Sequence, residues 1–239
     1  MMKKTLLAGA LLAGSTAAMA EISGNISLAT DYVFRGVSQT NEDPAIQGGF
    51  DWSHASGFYL GAWGSNVEFD ENAGSFPGES VNEASIEIDY YGGFANSFSS
   101  GLGYDVGGIY YSYPGSSGSL DYDYYEFYGG LGWTFNETWS TSGKISYSPE
   151  FFGDTGSAWY FEAGLDVALP AEFALSGHVG YQTINDTDPV NYLDWSAGIT
   201  KALWGVDLGL TAYGTNGNGR DLNGDLADTR AVFSISKSL

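Results

Sequence analysis

Cysteine is absent from these 239 residues, so neither disulfides nor thiol chemistry serves the chain, and stability must come from packing and backbone hydrogen bonding. Basic side chains are scarce, with 8 Lys and Arg against 29 Asp and Glu, a net charge of −21. So acidic a chain repels phosphate backbones and anionic headgroups, which argues against nucleic acid as a partner. Long apolar runs are missing as well. Beyond the N-terminal leader no segment carries 18 successive apolar residues and no long stretch has a 3.6-residue period, which excludes a spanning helix. An acidic excess fits disorder only when aromatics are few, and here they make up 16% of the chain.

The leader itself is explicit. Lys3 and Lys4 precede an apolar run from Leu6 to Gly14 and the small-residue site Ala18-Met19-Ala20, the pattern of a secretory signal peptide on the Sec pathway. Residues 1–20 are therefore assigned to the signal peptide and residues 21–239 to a single all-β domain. Losing Lys3 and Lys4 moves the net charge from −21 to −23.

What the mature chain does contain is alternation with period 2. In 122–135 Tyr125, Phe127, Leu131, Trp133 and Phe135 alternate with Tyr124, Glu126, Tyr128 and Thr134. In 158–169 Trp159, Phe161, Leu165, Val167 and Leu169 face away from Tyr160, Glu162 and Asp166. Each reads as a strand with one greasy and one polar face. The same template predicts twelve strands, at 22–34, 45–53, 58–68, 82–92, 98–111, 122–135, 139–148, 158–169, 173–182, 191–201, 205–213 and 229–239.

The connections alternate in length. Short turns are expected at His54 to Gly57, Ala95 to Ser97, Asn136 to Thr138, Pro170 to Glu172 and Ala202 to Trp204. Longer polar loops fall between them, at Arg35 to Pro44, Asp70 to Val81, Ser112 to Asp121, Pro149 to Ser157, Thr183 to Val190 and Gly214 to Asp228. That is the pattern of a closed antiparallel transmembrane β-barrel with long extracellular loops and short periplasmic turns.

A soluble sandwich alternates too, and three features separate the two folds. Strands of about 10 residues, tilted near 45°, span roughly 24 Å, the apolar height of a barrel in a bilayer. Aromatics gather at strand ends, with Trp52, Phe58, Phe94, Phe98, Trp133, Phe135, Trp139, Phe173 and Trp204 near the short turns, and Tyr32, Phe34, Phe69, Tyr110, Tyr113, Tyr122, Tyr147, Trp159, Tyr181, Tyr192 and Tyr213 near the long loops. Finally, Phe233, Ile235 and Leu239 alternate with Ser234, Ser236 and Ser238 in a last strand suited to the barrel-assembly machinery. Lipid leaves no strand edge unpaired, so an even count closes.

The opening of the mature chain is distinctive as a string. Asp31-Tyr32-Val33-Phe34-Arg35-Gly36 and Asp43-Pro44-Ala45, within Ser23 to Phe69, resemble the TorF-type porins, a proteobacterial outer-membrane family, and Thr229 to Leu239 looks similar too. The resemblance implies a barrel and a pore, with no catalytic residues to carry over.

The polar parity nominates the lumen. Asp31, Asp51, Glu83, Glu87, Asp89, Asp105, Glu126, Glu162, Asp166, Asp194 and Asp207 fall on the inward face, with Lys144 and Arg230 as basic counterparts and His178 beside them. Carboxylates lining a water-filled bore concentrate cations and exclude anions. Inward glycines (Gly49, Gly101, Gly103, Gly107, Gly130, Gly132, Gly164, Gly180, Gly209) either keep that bore open or make room for tight neighbours.

The expected function is passive diffusion of ions or small solutes with a preference for cations. A non-conducting barrel whose loops bind a ligand is the alternative, and a lipid hydrolase built on Ser176 and His178 the third reading. Asp221, Asn223, Asp225 and Asp228 are spaced like the start of a calcium loop, but Leu226 stands where Gly is needed and Val232 where a bidentate Glu is needed. No cofactor and no metal is therefore expected. The expected partners are outer-membrane lipid, lipopolysaccharide and small solutes or cations; the oligomeric state is left open.

Overall fold

A computed structural model describes residues 20–69, 84–185 and 190–239. The expected signal peptide apart from Ala20, the whole of the expected loop 70–81, Glu83, and 186–189 within the expected loop 183–190 lie outside the described residues. Twelve long antiparallel strands close into a cylinder: β1 Glu21–Ala29, β4 Ala45–Ser53, β5 Phe58–Asn66, β6 Ile86–Ser97, β7 Gly103–Ser112, β8 Tyr124–Thr134, β9 Trp139–Ser148, β10 Ser157–Leu169, β11 Phe173–Asn185, β12 Val190–Leu203, β13 Val206–Thr215 and β14 Arg230–Ser238. Each pairs with its sequence neighbour, and β1 closes the ring on β14 from Asn25 opposite Ser238 to Ala29 opposite Ser234. Closure satisfies every ladder, which is what lipid demands of a sheet.

The faces follow the alternation. Phe50 and Leu60 are 68% and 61% exposed, and Ile22, Phe127, Leu165, Val179, Leu210 and Phe233 share this outward parity. On the opposite parity Glu87, Glu126, Gln182 and Asp194 are buried. Greasy outside and polar inside is the reverse of a water-soluble protein and fits a lipid solvent.

Several boundaries differ from the sequence reading, each for a local reason. The expected strand 22–34 stops at Ala29, and Val33–Phe34 (β2) and Val37–Ser38 (β3) form a separate two-stranded hairpin. Arg35 and Gly36 supply its turn with φ of 47° and 81°, the left-handed pair that a two-residue hairpin requires. Trp204 and Gly205, with φ of 53° and 81°, make the same turn between β12 and β13. The turn expected at Ala95 to Ser97 lies at 98–102 instead. Ala95 to Ser97 continue β6 opposite Asp105 to Gly103, while Gly101 with φ of 89° takes the reversal. The expected strand 82–92 is thus replaced by one that runs from Ile86 to Ser97. Within the expected loop 214–228 a short helix, α1, runs Gly217–Asn223, capped by the Asn216 side chain on the Gly219 amide. Asp221 and Asn223 of the calcium-like string lie in it.

Candidate functional site

The β2–β3 hairpin hangs from the loop end of β1 and turns into the barrel. Its root is fastened at Asp31, which accepts from Ser38 Oγ at 2.7 Å and from Thr40 Oγ1 at 3.0 Å, and meets Arg230 Nη1 at 3.0 Å. From there the hairpin touches several walls: Tyr32 packs edge-on against Trp63 of β5, and Phe34 against Tyr111 of β7. A Cβ on Gly36 would lie 2.6 Å from Thr215 Cγ2 and 2.9 Å from Asp194 Cβ, so the tip fits closely against β13 and β12. Arg35 crosses to the side of the barrel opposite β1. Its Nη2 donates to Glu126 Oε2 on β8 at 2.7 Å and its Nη1 to Gln182 Oε1 on β11 at 2.8 Å, while the guanidinium carbon sits 4.1 Å from the Tyr160 ring centre on β10. Only 7% of the Arg35 side chain and 4% of the Glu126 side chain reach solvent.

Beside the hairpin an aromatic cluster fills the loop end on the β5–β9 side. Tyr111, Tyr113 and Tyr124 are buried there with Val67 and Ala84, and Phe69, Tyr122, Phe151 and Phe152 pack around them. Half of the expected loop-side belt is thus an internal plug, whereas Trp159 and Tyr181 remain exposed on the outer face. Glu87 and Asp89 lie under this cluster, and Tyr32 Oη donates to Glu87 Oε1 at 3.0 Å. Burial first, then the carboxylates of Glu87 and Asp89, push the Tyr32 phenol well above its ordinary value and keep it a donor.

The turn-side half is built differently. Tyr59, Tyr91 and Tyr128 lie flat along the wall over glycines of neighbouring strands: Tyr91 over Gly61, Tyr59 over Gly93 and Tyr128 over Gly107. Tyr59 Oη donates to Asp105 at 2.7 Å, Tyr91 Oη to Asp51 at 2.6 Å, and the Tyr59 and Tyr128 hydroxyls bond to each other. Several inward glycines, Gly107, Gly164, Gly180 and Gly209 among them, are therefore floors under side chains. A Cβ at Gly107 would come within 2.6 Å of Tyr128 Oη, and one at Gly209 within 2.5 Å of Ser234 Oγ. Gly101 is in a turn and lines no wall.

Midway up, Lys144 Nζ meets Glu162 Oε1 at 2.7 Å, His178 Nε2 lies 3.2 Å from Glu162 Oε2 and 3.3 Å from Tyr160 Oη, and His178 Nδ1 lies 3.5 Å from Asp194. Tyr160 Oη reaches Asp194 at 3.0 Å. Glu162, Tyr160 and Asp194 thus engage both ring nitrogens of His178, and among the described residues no hydrogen bond joins it to Ser176.

Of the nominated residues, Asp31 and Arg230 meet at the hairpin root, Glu126 in the Arg35 seat, and Lys144, Glu162, His178 and Asp194 in the central network. Asp51, Asp105, Asp166 and Asp207 stand on the inner wall toward the turns, with no Lys or Arg within 4.0 Å among the described residues. Arg35 is the missed residue. The alternation of Val33-Phe34 and Val37-Ser38 about Arg35-Gly36 was the signal that could have found it.

A model of a bacterial protein family of unknown function, Gcw_chp, matches residues 13–239. The chain belongs to the Gcw_chp family. No curated protein matches this Gcw_chp chain. Among solved structures it is similar to the KdgM porin, with a TM-score of 0.59 at 9% identity over 92% of this chain and 99% of that one. It is also similar to the NanC porin, with a TM-score of 0.56 at 7% identity over 90% and 98%. An outer-membrane channel from Pseudomonas putida gives 0.56 at 9% over 98% and 99%. At such identities the likeness is one of fold: the Gcw_chp chain is built as outer-membrane porins are.

Proposed function

We propose that this barrel is a narrow, cation-preferring diffusion channel of the bacterial outer membrane, in keeping with its resemblance to TorF-type porins. The imbalance of charge inside carries the reading. Asp51, Asp105, Asp166 and Asp207 face the turn-side lumen, while the basic groups that reach the interior, Arg35, Arg230 and Lys144, are each held by a carboxylate. For twelve strands the backbone cylinder is about 24 Å across, and inward side chains together with the hairpin leave a bore for ions and small solutes only. In a water-filled path of that width, fixed carboxylates raise the local concentration of cations and exclude anions.

Export by the leader, contact with lipopolysaccharide at the loop end and delivery through the last strand to the assembly machinery complete the reading. The experiment is a salt gradient across a planar bilayer holding the refolded mature chain, with the sign of the reversal potential as readout. A cation-selective potential is expected, and an anion-selective one ends the proposal. The filled loop-side half favours a second reading, a barrel that does not conduct, and absence of single-channel steps in the same experiment would select it.

A further inference from the structure

The Arg35 side chain reports what the wall opposite β1 recognises. Glu126 on β8 and Gln182 on β11 offer one acceptor oxygen each, at 2.7 and 2.8 Å, and the Tyr160 face lies 4.1 Å beneath the guanidinium carbon. Tyr111 Oη donates to the same Glu126 oxygen at 3.3 Å and holds the carboxylate in place. Two divergent acceptors plus an aromatic face match the planar fork of a guanidinium, whereas an ammonium is a point charge with no plane to stack. Glu126, Gln182 and Tyr160 belong to the barrel wall, and the hairpin adds only the Phe34 ring, 4.7 Å from the guanidinium carbon, so both acceptors and the nearer aromatic face are the wall's own.

We propose that Glu126, Gln182 and Tyr160 form a recognition site for guanidinium-bearing solutes, occupied in the resting barrel by Arg35 of the hairpin. This rests on the channel reading for solute access. The tip can yield the seat because its own ladder is only two residue pairs, Val33 opposite Ser38 and Phe34 opposite Val37. The root stays fastened independently, through Asp31 to Ser38, Thr40 and Arg230. Below the seat, Asp51, Asp105, Asp166 and Asp207 supply the charge that draws cations up the lumen.

The test is a calorimetric titration of the refolded mature chain with methylguanidinium, with methylammonium and potassium as controls, on protein whose folding is verified by heat-modifiable gel mobility. Arg35→Ala is expected to bind one methylguanidinium per barrel at least ten-fold more tightly than the wild type, whose seat is filled. The double variant Arg35→Ala/Glu126→Gln is expected to lose that binding, and methylammonium to give no comparable response. Equal titrations in all three proteins, or an equal response to methylammonium, overturns the proposal. Should Arg35→Ala not fold, Arg35→Gln removes the guanidinium while keeping a polar side chain two atoms shorter, and carries the same comparison. Single-channel recording of the same variants separates the two readings, since a barrel that binds methylguanidinium but passes no current keeps the seat and loses the channel.

Discussion

Two ion pairs inside this barrel have the same 2.7 Å separation and opposite surroundings. Arg35–Glu126, in the loop-side half, has side chains 7% and 4% exposed; Lys144–Glu162, at mid-height, has side chains 45% and 22% exposed. The first pair is sealed under aromatic rings, where losing one partner strands a charge. The second faces water, which screens both charges and replaces either partner. Distance alone therefore says little about what a pair does, and the same division runs through the lumen, with a packed half above and a wetter, carboxylate-bearing wall below.

The largest effect is expected from Glu126→Ala. It leaves the Arg35 guanidinium without its counter-charge, a loss on the order of 3–5 kcal/mol for a buried pair, relieved only as the hairpin withdraws. Urea unfolding in detergent should show the destabilisation, and single-channel recording a several-fold rise in conductance. Unchanged conductance would mean that the hairpin does not set the bore. Gly61→Ala comes next. Its new Cβ lands on the Tyr91 ring, and overpacking of this kind costs about 1–3 kcal/mol. Gly177→Ala, with nothing within 4 Å of its Cβ, should be neutral or slightly stabilising in the same unfolding assay. Equal losses at the two sites would show that the Tyr91 plate does not depend on its glycine floor.

Lys144→Met should cost less than about 1 kcal/mol, since its partner keeps water and His178. A loss as large as that of Glu126→Ala would erase the contrast drawn above. Smallest in stability is Asp51→Asn combined with Asp105→Asn, because an asparagine oxygen still accepts from Tyr91 and Tyr59. Here the unfolding midpoint should stay put while the reversal potential in a salt gradient moves part of the way toward zero.

The barrel was legible in the sequence because lipid outside and water inside impose a period of two on every strand. The alternation alone points Phe127 and Leu165 outward and Glu126, Glu162 and Asp194 inward. Where that constraint lapses, legibility goes with it. The reversal near Ala95 was misplaced because Phe94 and Phe98 look alike as end-of-strand aromatics, whereas the deciding feature is the left-handed backbone at Gly101. Tyr32, Phe34 and Tyr113 look like belt residues in sequence, yet they pack inward because the hairpin and the loop-side aromatics give them a dry surface that is not lipid. The Arg35 seat joins β1's loop to β8 and β11, a contact between positions far apart in the chain that no local pattern encodes.

The clasp between Asp31 and Arg230 has a consequence for assembly. Asp31 hangs just beyond β1 and Arg230 begins β14, so the 3.0 Å contact at the hairpin root bridges the seam where the first and last strands meet. An unsealed sheet lacks that contact, even though Arg230 also donates to the Asp225 and Asp228 carbonyls and Asp31 also accepts from Ser38 and Thr40. Sealing of the seam and anchoring of the hairpin root thus share one contact, and the two strands that shut the cylinder also hold its stopper.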